Sequence, residues 1–206
     1  MLVSEAMVQS LLNEGVEVLF GYPGAAICPF YDALKKTPIR HILVRTEQNA
    51  GHAAGGYARI SGKCGVCIAT SGPGATNLIS GIASAYMDSV PLVVITGQVD
   101  SHLLGRDVFQ EVDTTGMVEP FIKHSYLLKN PADTCRVFKE AFYIARSGRP
   151  GPVLIDVPVD VQLQETTFSY PEEASIRSYK PSSYGHKGQI RRAAEAIRHA
   201  DRPLLV

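Results

Sequence analysis

The stretch RTEQNAGHAAGGYAR (residues 45–59) decides how the chain is read. It follows a short apolar run, His41-Ile42-Leu43-Val44, that reads as a buried strand, and it continues as a helix built mostly of Ala and Gly. Glu47 sits where strand gives way to helix. An acid there lies at the carboxyl end of a strand, the edge on which α/β sheets assemble their ligand sites. It also lies in the first helical turn, where the helix dipole favours negative charge, and an ordinary exposed acid is equally at home in that position.

Outward from this stretch the same alternation repeats. Toward the N-terminus, residues 4–14 form a helix with Ser4 as its N-cap and Gly15 as its stop, and Val16 to Phe20 is a strand. Gly21-Tyr22-Pro23-Gly24 is a turn, followed by a helix over residues 27–36 that ends before Pro38. Toward the C-terminus, Gly65 to Thr70 is a strand, Ser71-Gly72-Pro73-Gly74 a turn, and Ala75 to Met87 a helix. Pro91 to Thr96 is the next strand, running out through Gly97-Gln98. Residues 98–119 are polar and irregular, too long for an ordinary connection, and read as a functional loop. Ser125–Leu128 is a strand, Pro131–Ser147 a helix with Val137, Phe138, Ala141 and Phe142 inward, and Val153–Val157 a last strand. Short apolar strands alternating with helices predict an α/β fold: a parallel six-stranded sheet flanked by helices on both faces.

The organisation changes after Asp160. Residues 1–165 are expected to form the main domain. Residues 166–186, rich in Ser, Tyr, Pro and Glu, read as a linker. Gln189–Ala200 is an amphipathic helix with Ile190, Ala193, Ala194 and Ile197 on one side, and Pro203–Val206 begins a strand. A helix and half a strand bury no core, so residues 187–206 are expected to be the start of a further, truncated domain.

Composition excludes several classes. Lys+Arg and Asp+Glu balance at 20 each, which gives no electrostatic reason for nucleic acid or an anionic membrane as partner. No run of apolar residues is long enough for a membrane span, and residues 1–20 lack the basic start of a secretory signal. Four Cys without a small-scaffold pattern point to reduced thiols in a cytoplasmic protein. Cys64-Gly65-Val66-Cys67 runs into a strand rather than opening a helix, so these are read as structural thiols. The His residues lack metal-ligand spacing, and His52 is read as a surface or packing residue. No metal ligands are expected. Gly62-Lys63 lacks the P-loop's following Ser/Thr, and Gly72-Pro73-Gly74 carries Asn77 where a dinucleotide fingerprint needs its third Gly. The helices at 47–60 and 75–87 are rich in the small residues Gly, Ala and Ser, and each Gly within a helix costs about 0.5–1 kcal/mol against Ala. Close backbone approach would offset that, at a subunit interface, beside a ligand, or within one domain.

GYPGAAICPFYDAL, RTEQNAGHAAGGYAR, ATSGPGATNLISGIASAYMDSVPLVVITGQV, DVFQE and SGRPGPVLIDVPVDVQ together resemble the N-terminal pyrimidine-binding domain of the acetolactate synthase (acetohydroxyacid synthase) catalytic subunits. These enzymes depend on thiamine diphosphate. The resemblance covers nearly all of residues 1–165. It implies that Glu47 hydrogen-bonds the N1′ atom of the cofactor's aminopyrimidine and so promotes loss of the thiazolium proton. Pyruvate is then decarboxylated, and the resulting enamine adds to a second 2-oxoacid in branched-chain amino-acid biosynthesis. Tyr22, Pro23 and Gly24 match the turn beside the aminopyrimidine, with Ala25 and Ala26 following in the substrate channel. Ser71, Gly72 and Pro73 match a turn facing the cofactor, with Asn77 after it. Gln110 matches a catalytic glutamine near the reacting centre and Phe109 its neighbour in the channel. Lys123 matches a channel lysine and Arg149 an arginine that contacts FAD.

Two positions depart from the family: Ala25 stands where Gly is usual, and Asp100 where many members have Pro. The resemblance further implies Mg2+ and the cofactor diphosphate held by a C-terminal domain, FAD held mostly by the central domain, and a homodimer or higher homo-oligomer, and it leaves the presence of a regulatory subunit open. The 206-residue stretch alone is accordingly expected to be inactive. The competing readings are another thiamine-dependent decarboxylase or carboligase, and a non-catalytic binding module of the same fold. Acceptor preference, pyruvate or 2-oxobutyrate, stays open.

Overall fold

The computed structural model describes residues 1–204; the end of the strand expected over 203–206 lies outside the described residues. The chain divides into two compact units, Met1–Ser175 and Ile176–Val206. Residues 166–170, within the expected linker, are tied to the first unit: Thr166 donates its N–H to the Met1 carbonyl, and the Tyr170 hydroxyl donates to Glu14.

In chain order the first unit runs α1 (Val3–Asn13), β1 (Val18–Gly21), α2 (Cys28–Leu34), β2 (Arg40–Leu43), α3 (Glu47–Ser61), β3 (Gly65–Ala69), α4 (Pro73–Asn77), α5 (Ile79–Met87), β4 (Leu92–Gln98), α6 (Thr114–Val118), β5 (His124–Leu127), α7 (Thr134–Arg146), β6 (Pro152–Pro158) and α8 (Val159–Gln162). All pairings are parallel and the sheet order is β2-β1-β3-β4-β6-β5. This is the six-stranded parallel architecture that the alternation implied. The inner strands β3, β4 and β6 are buried along their whole length, so both faces must be covered. The edge strands β2 and β5 carry polar residues and are partly open. On one face α3, α5 and α6 supply Ala50, Ala54, Ile82 and Val118, and Leu78 joins them from just before α5, to a core with Cys67, Ala69, Leu92, Val94 and Leu154. On the other, α1 packs against α2, α7 and α8, and Val137, Phe138, Ala141 and Phe142 of α7 are buried as expected.

Three local expectations fail for identifiable reasons. Ser4 is not the N-cap of α1: the helix starts at Val3, Ser4 is buried inside it, and Glu5 reaches back to accept the Leu2 N–H at 3.1 Å. The helix expected over residues 75–87 starts earlier and is interrupted at Leu78, between α4 and α5. The loop at 98–119 contains α6, capped by Asp113, whose carboxylate accepts the Gly116 N–H. In the second unit, α9 (Lys187–Arg198) is a helix whose Ile190 and Ile197 are both exposed.

The small-residue helices meet each other. A Cβ on Gly81 would stand 2.8 Å from the Gly51 Cα, and one on Gly51 would stand 3.0 Å from the Gly81 Cα. The close approach expected from composition is therefore, at this pair, a contact of α3 with α5 within one domain. Gly56, by contrast, has nothing within 4 Å of a would-be Cβ. The two positions separate the causes. Gly81→Val is expected to destabilise by about 1–3 kcal/mol through overpacking, and Gly56→Ala to stabilise by about 0.5–1 kcal/mol through helix propensity. Urea unfolding of both variants checks this; equal effects would contradict the packing.

Candidate active site at the carboxyl edge

The order β2-β1-β3-β4 reverses direction between β1 and β3. The connection leaving β1 goes to one side and that leaving β3 to the other, which opens a crevice beyond their carboxyl ends. Two turns border it, one after each strand. Both close on Thr70, the residue after β3. A Cβ on Gly24 would lie 2.5 Å from Thr70 Cβ, and a Cβ on Gly74 would lie 2.7 Å from Thr70 Cγ2. The Ala26 N–H donates to Thr70 Oγ1 at 3.2 Å. Tyr22, Pro23 and Ala25 are exposed along the first turn, while Ala26 is buried.

Glu47, the first residue of α3, is half-buried beside this junction. Asn77, the last residue of α4, donates Nδ2–H to Glu47 Oε2 at 2.9 Å. The break after α4 ends the helix with Asn77 at this carboxylate. The other oxygen, Oε1, lies 3.6 Å from where a Gly74 Cβ would stand, so the glycine leaves that side of the carboxylate open. Ser71 is buried in the same turn and its carbonyl accepts the Gly74 N–H.

Gln110 reaches the same turn from the loop after β4. A Cβ on Gly72 would meet the Gln110 carbonyl oxygen at 2.7 Å and its Cα at 2.9 Å. Gly72 has φ +56° and Gln110 φ +60°, so both lie in the left-handed region that favours glycine. Phe109, beside it, is 87% exposed. Glu47, Asn77, Ser71, Gly72, Pro73, Gln110, Phe109 and residues 22–26 are thus carried to one edge of the sheet.

Lys123 and Arg149 are not. Lys123 directly precedes β5 and Arg149 comes three residues before β6, so both lie at the amino edge. Lys123 donates Nζ–H to the carbonyls of Ile144 and Ser147 at the end of α7, the latter at 2.8 Å. Arg149 donates to Ser89 Oγ at 2.7 Å and to the carbonyls of Tyr86 and Met87 at the end of α5. Both cations meet helix C-termini, where the dipole favours them.

Three supporting residues are not evident in the sequence. Thr70 is the first. Gln162, wholly buried in α8, donates Nε2–H to the Ala26 carbonyl at 2.8 Å and to the Val157 carbonyl at 3.0 Å. Asp156 of β6 is buried and accepts from Thr96 Oγ1 at 2.6 Å and Gln98 Nε2 at 2.9 Å. Burial pushes its carboxyl up to about 7, assisted by the nearby Asp113 carboxylate and opposed by the hydrogen bonds from Thr96, Gln98 and Thr114. Their only sequence signal is a polar residue inside, or just past, an apolar strand.

Other groups stand apart from the crevice. Cys64 and Cys67 are buried free thiols, with burial pushing Cys64 up to about 12, in keeping with a structural role. His52 is exposed. Among the described residues no group of three His, Cys, Asp or Glu could hold a metal ion, and no helix is long and apolar enough to cross a membrane.

Comparison with known proteins gives a consistent outcome. Residues 1–117 match the family model described as "Thiamine pyrophosphate enzyme, N-terminal TPP binding domain". The chain is 52% identical over 205 residues to the acetolactate synthase large subunit of Buchnera aphidicola (strain APS), covering 98% of this chain and 36% of that protein. It is 52% identical over 205 residues to the Haemophilus influenzae acetolactate synthase large subunit, again 98% and 36%. It is 49% identical over 206 residues to the probable acetolactate synthase large subunit of Methanocaldococcus jannaschii, 98% and 35%. The chain therefore spans about a third of the length of the curated relatives it matches.

The Asp156 shift has a pH consequence. An unfolded Asp titrates at roughly 3.9, and in the fold Asp156 titrates at about 7. The native state therefore holds an extra proton between those values, and the associated stability, full at low pH, is lost as pH rises through 7. Unfolding free energies measured from pH 5 to 8.5 are expected to fall for the wild type relative to the non-titrating Asp156→Asn. A difference that stays constant with pH would contradict the assignment.

Proposed function

The chain belongs to the thiamine pyrophosphate enzyme family, as an N-terminal TPP-binding domain, and from that premise we propose that it is the N-terminal part of an acetolactate synthase catalytic subunit. The proposed reaction joins pyruvate to a second 2-oxoacid in branched-chain amino-acid biosynthesis, in the cytoplasm. One observation carries the reading: the half-buried Glu47 carboxylate, fixed through one oxygen by Asn77 and with a glycine, Gly74, beside the other, at a crevice whose bordering turns close on Thr70 through Gly24 and Gly74.

That crevice suits the pyrimidine half of thiamine diphosphate. A flat heteroaromatic ring needs closely spaced walls, and Gly24, Gly72 and Gly74 let the two turns close on Thr70 and Gln110 where a Cβ would clash. A ring nitrogen that takes up a proton needs an acidic partner of fixed orientation, which Glu47 supplies. Tyr22, Pro23 and Gly24 on one side, and Ser71, Gly72 and Pro73 on the other, are the residues that would hold the ring.

The chemistry supplied by bound thiamine diphosphate is storage of the electron pair left when a 2-oxoacid loses CO2. The chain's own contribution is orientation and proton control. Glu47 holds a proton at the oxygen facing the ring, and Asn77 prevents the carboxylate from turning away. Ala25 and Ala26 border the approach of the 2-oxoacid, and Phe109 and Gln110 cover the crevice from the loop after β4, with the Gln110 amide near the reacting atoms.

The remaining parts of the proposal lie largely outside these residues. Mg2+ and the diphosphate are held by a C-terminal domain. FAD is held mostly by a central domain that residues 187–206 open, with Arg149 contributing. Lys123 borders the substrate channel where further segments complete it. The assembled enzyme is a homo-oligomer served by a regulatory subunit, in keeping with the "large subunit" names of the relatives.

In the full-length protein, Glu47→Gln is expected to lower acetolactate formation from pyruvate by about 100-fold or more, the scale of a lost proton-transfer group, with folding intact. An unchanged rate would remove Glu47 from the chemistry and favour a binding module. The 206-residue chain by itself is expected to bind thiamine diphosphate and Mg2+ weakly and to form no acetolactate. Submicromolar binding in isothermal titration would contradict the assignment of the diphosphate to another domain.

A further inference from the structure

Gln110 is an unusual residue to find in a catalytic position. Its backbone is left-handed at φ +60°, as is that of Asp107 at +52°, and neither is glycine. Such conformations persist where the surroundings over-determine them. The loop that carries Gln110 has little regular structure of its own, so the constraint must come from what ties it down.

Two ties are visible. At the front, Ser101 donates its N–H and its hydroxyl to the two Asp160 carboxylate oxygens, at 2.8 and 2.6 Å. In the middle, the Glu111 carboxylate accepts the N–H groups of Gly105, Arg106 and Val108, which folds residues 105–111 into a compact turn but does not attach that turn to the sheet. At the back the Val112 carbonyl accepts the Thr114 N–H at 2.8 Å and hydroxyl at 3.3 Å from α6, and a side chain at the end of β4 attaches it to the sheet. Gln98, at the end of β4, is 1% exposed, and its Nε2 donates to the Val112 carbonyl and to Asp156 Oδ2, each at 2.9 Å. Thr114 Oγ1 lies 3.5 Å from the same nitrogen. The Gln98 Oε1 accepts the Val99 N–H at 2.9 Å, which sets the direction of the amide. Asp156 is held in turn by Thr96 at 2.6 Å. Both amide protons of Gln98 are thus committed, one to the sheet and one to the loop, two residues beyond Gln110.

We infer that Gln98 is a positioning residue for Gln110, using Asp156 as its fixed anchor on β6. The amide joins a strand end to the Val112 carbonyl, and this holds the left-handed Gln110 backbone against Gly72. Without the bond, residues 99–112 keep the Ser101 tie at the front and, at the back, only the local bonds from the Thr114 N–H and hydroxyl to the Val112 carbonyl, and Gln110 relaxes away from the Gly72 turn. Asp156 is needed as an acceptor rather than as a charge. An asparagine there still presents an oxygen to Gln98 Nε2, while its nitrogen can donate to the Thr96 hydroxyl. The catalytic consequence rests on the proposed role of Gln110; the structural consequence does not.

The test uses the full-length protein and two readouts. In Gln98→Met, hydrogen exchange of amides in residues 99–112 is expected to accelerate at least 10-fold while that of β3 is unchanged. Acetolactate kcat is expected to fall about 10-fold with the thiamine diphosphate half-saturation preserved, because Glu47 and Asn77 are held by other elements. Asp156→Asn is expected to stay within about threefold of wild type in both. Wild-type exchange in Gln98→Met, or faster exchange with unaltered kcat, would overturn the inference. Should Gln98→Met fail to fold, the wild type decides: the Gln98 side-chain amide protons, bonded to Val112 and Asp156, are expected to exchange with solvent at least 10-fold more slowly than those of exposed glutamines, and exchange at the exposed rate would overturn the inference. A wild-type protein without carboligation would refute the functional reading separately, leaving the exchange measurement to decide how Gln110 is held.

Discussion

Two turns converge on the side chain of Thr70, and neither could do so with a Cβ in the way. Gly24 approaches from the end of β1 and Gly74 from the start of α4, each within van der Waals overlap of a would-be side chain. The Ala26 N–H then donates to the Thr70 hydroxyl, while Gln162 takes the Ala26 carbonyl. One residue is thereby held at both of its backbone groups, by Thr70 just after β3 and by Gln162 of α8. The crevice where the sheet order reverses, open in principle in any doubly wound sheet, is here narrowed to a slot with Glu47 at its side. Everything proposed for the carboxylate depends on that closeness.

Much of this was legible in the sequence. Continuous apolar runs such as Val93–Ile95 and Val153–Ile155 mark inner strands of a parallel sheet, because such strands are covered on both faces. Glu47 was legible because a carboxylate directly after a strand has a definite place at the carboxyl edge. The turns at 21–24 and 71–74 announced themselves through Gly and Pro. What the residues did not reveal was partnership across distance. The hydrogen bond from Asn77 depends on α4 ending at that residue, which no local propensity signals. Thr70 looked like the last residue of a strand, and Gln98, Asp156 and Gln162 like polar interruptions of apolar runs. Their meaning lies in partners 14 to 136 residues away.

Position relative to a strand proved as informative as residue type. Lys123 and Arg149 were matched through the same family resemblance as the crevice residues, yet each comes just before a strand of a parallel sheet and is therefore carried to the amino edge. There the structure uses them to cap α7 and α5. Gln110 comes after a strand, and the long loop brings it back over Gly72 in a strained conformation. The loop's irregularity is only apparent, since α6, the Glu111 turn and the Gln98 amide give it three points of definition. The buried Asp156 beneath it carries a desolvation cost that appears in its raised titration point.

The central claim is that the pyrimidine ring of thiamine diphosphate lies at the carboxyl edge, against Glu47. A crystal structure of the full-length protein with the cofactor and Mg2+ tests this most directly. Binding at the crevice predicts a pyrimidine nitrogen within hydrogen-bond distance, about 3 Å, of a Glu47 carboxylate oxygen, with the ring between the 22–26 and 71–74 turns. A cofactor seated elsewhere, with Glu47 paired only to Asn77 or to solvent, would contradict it.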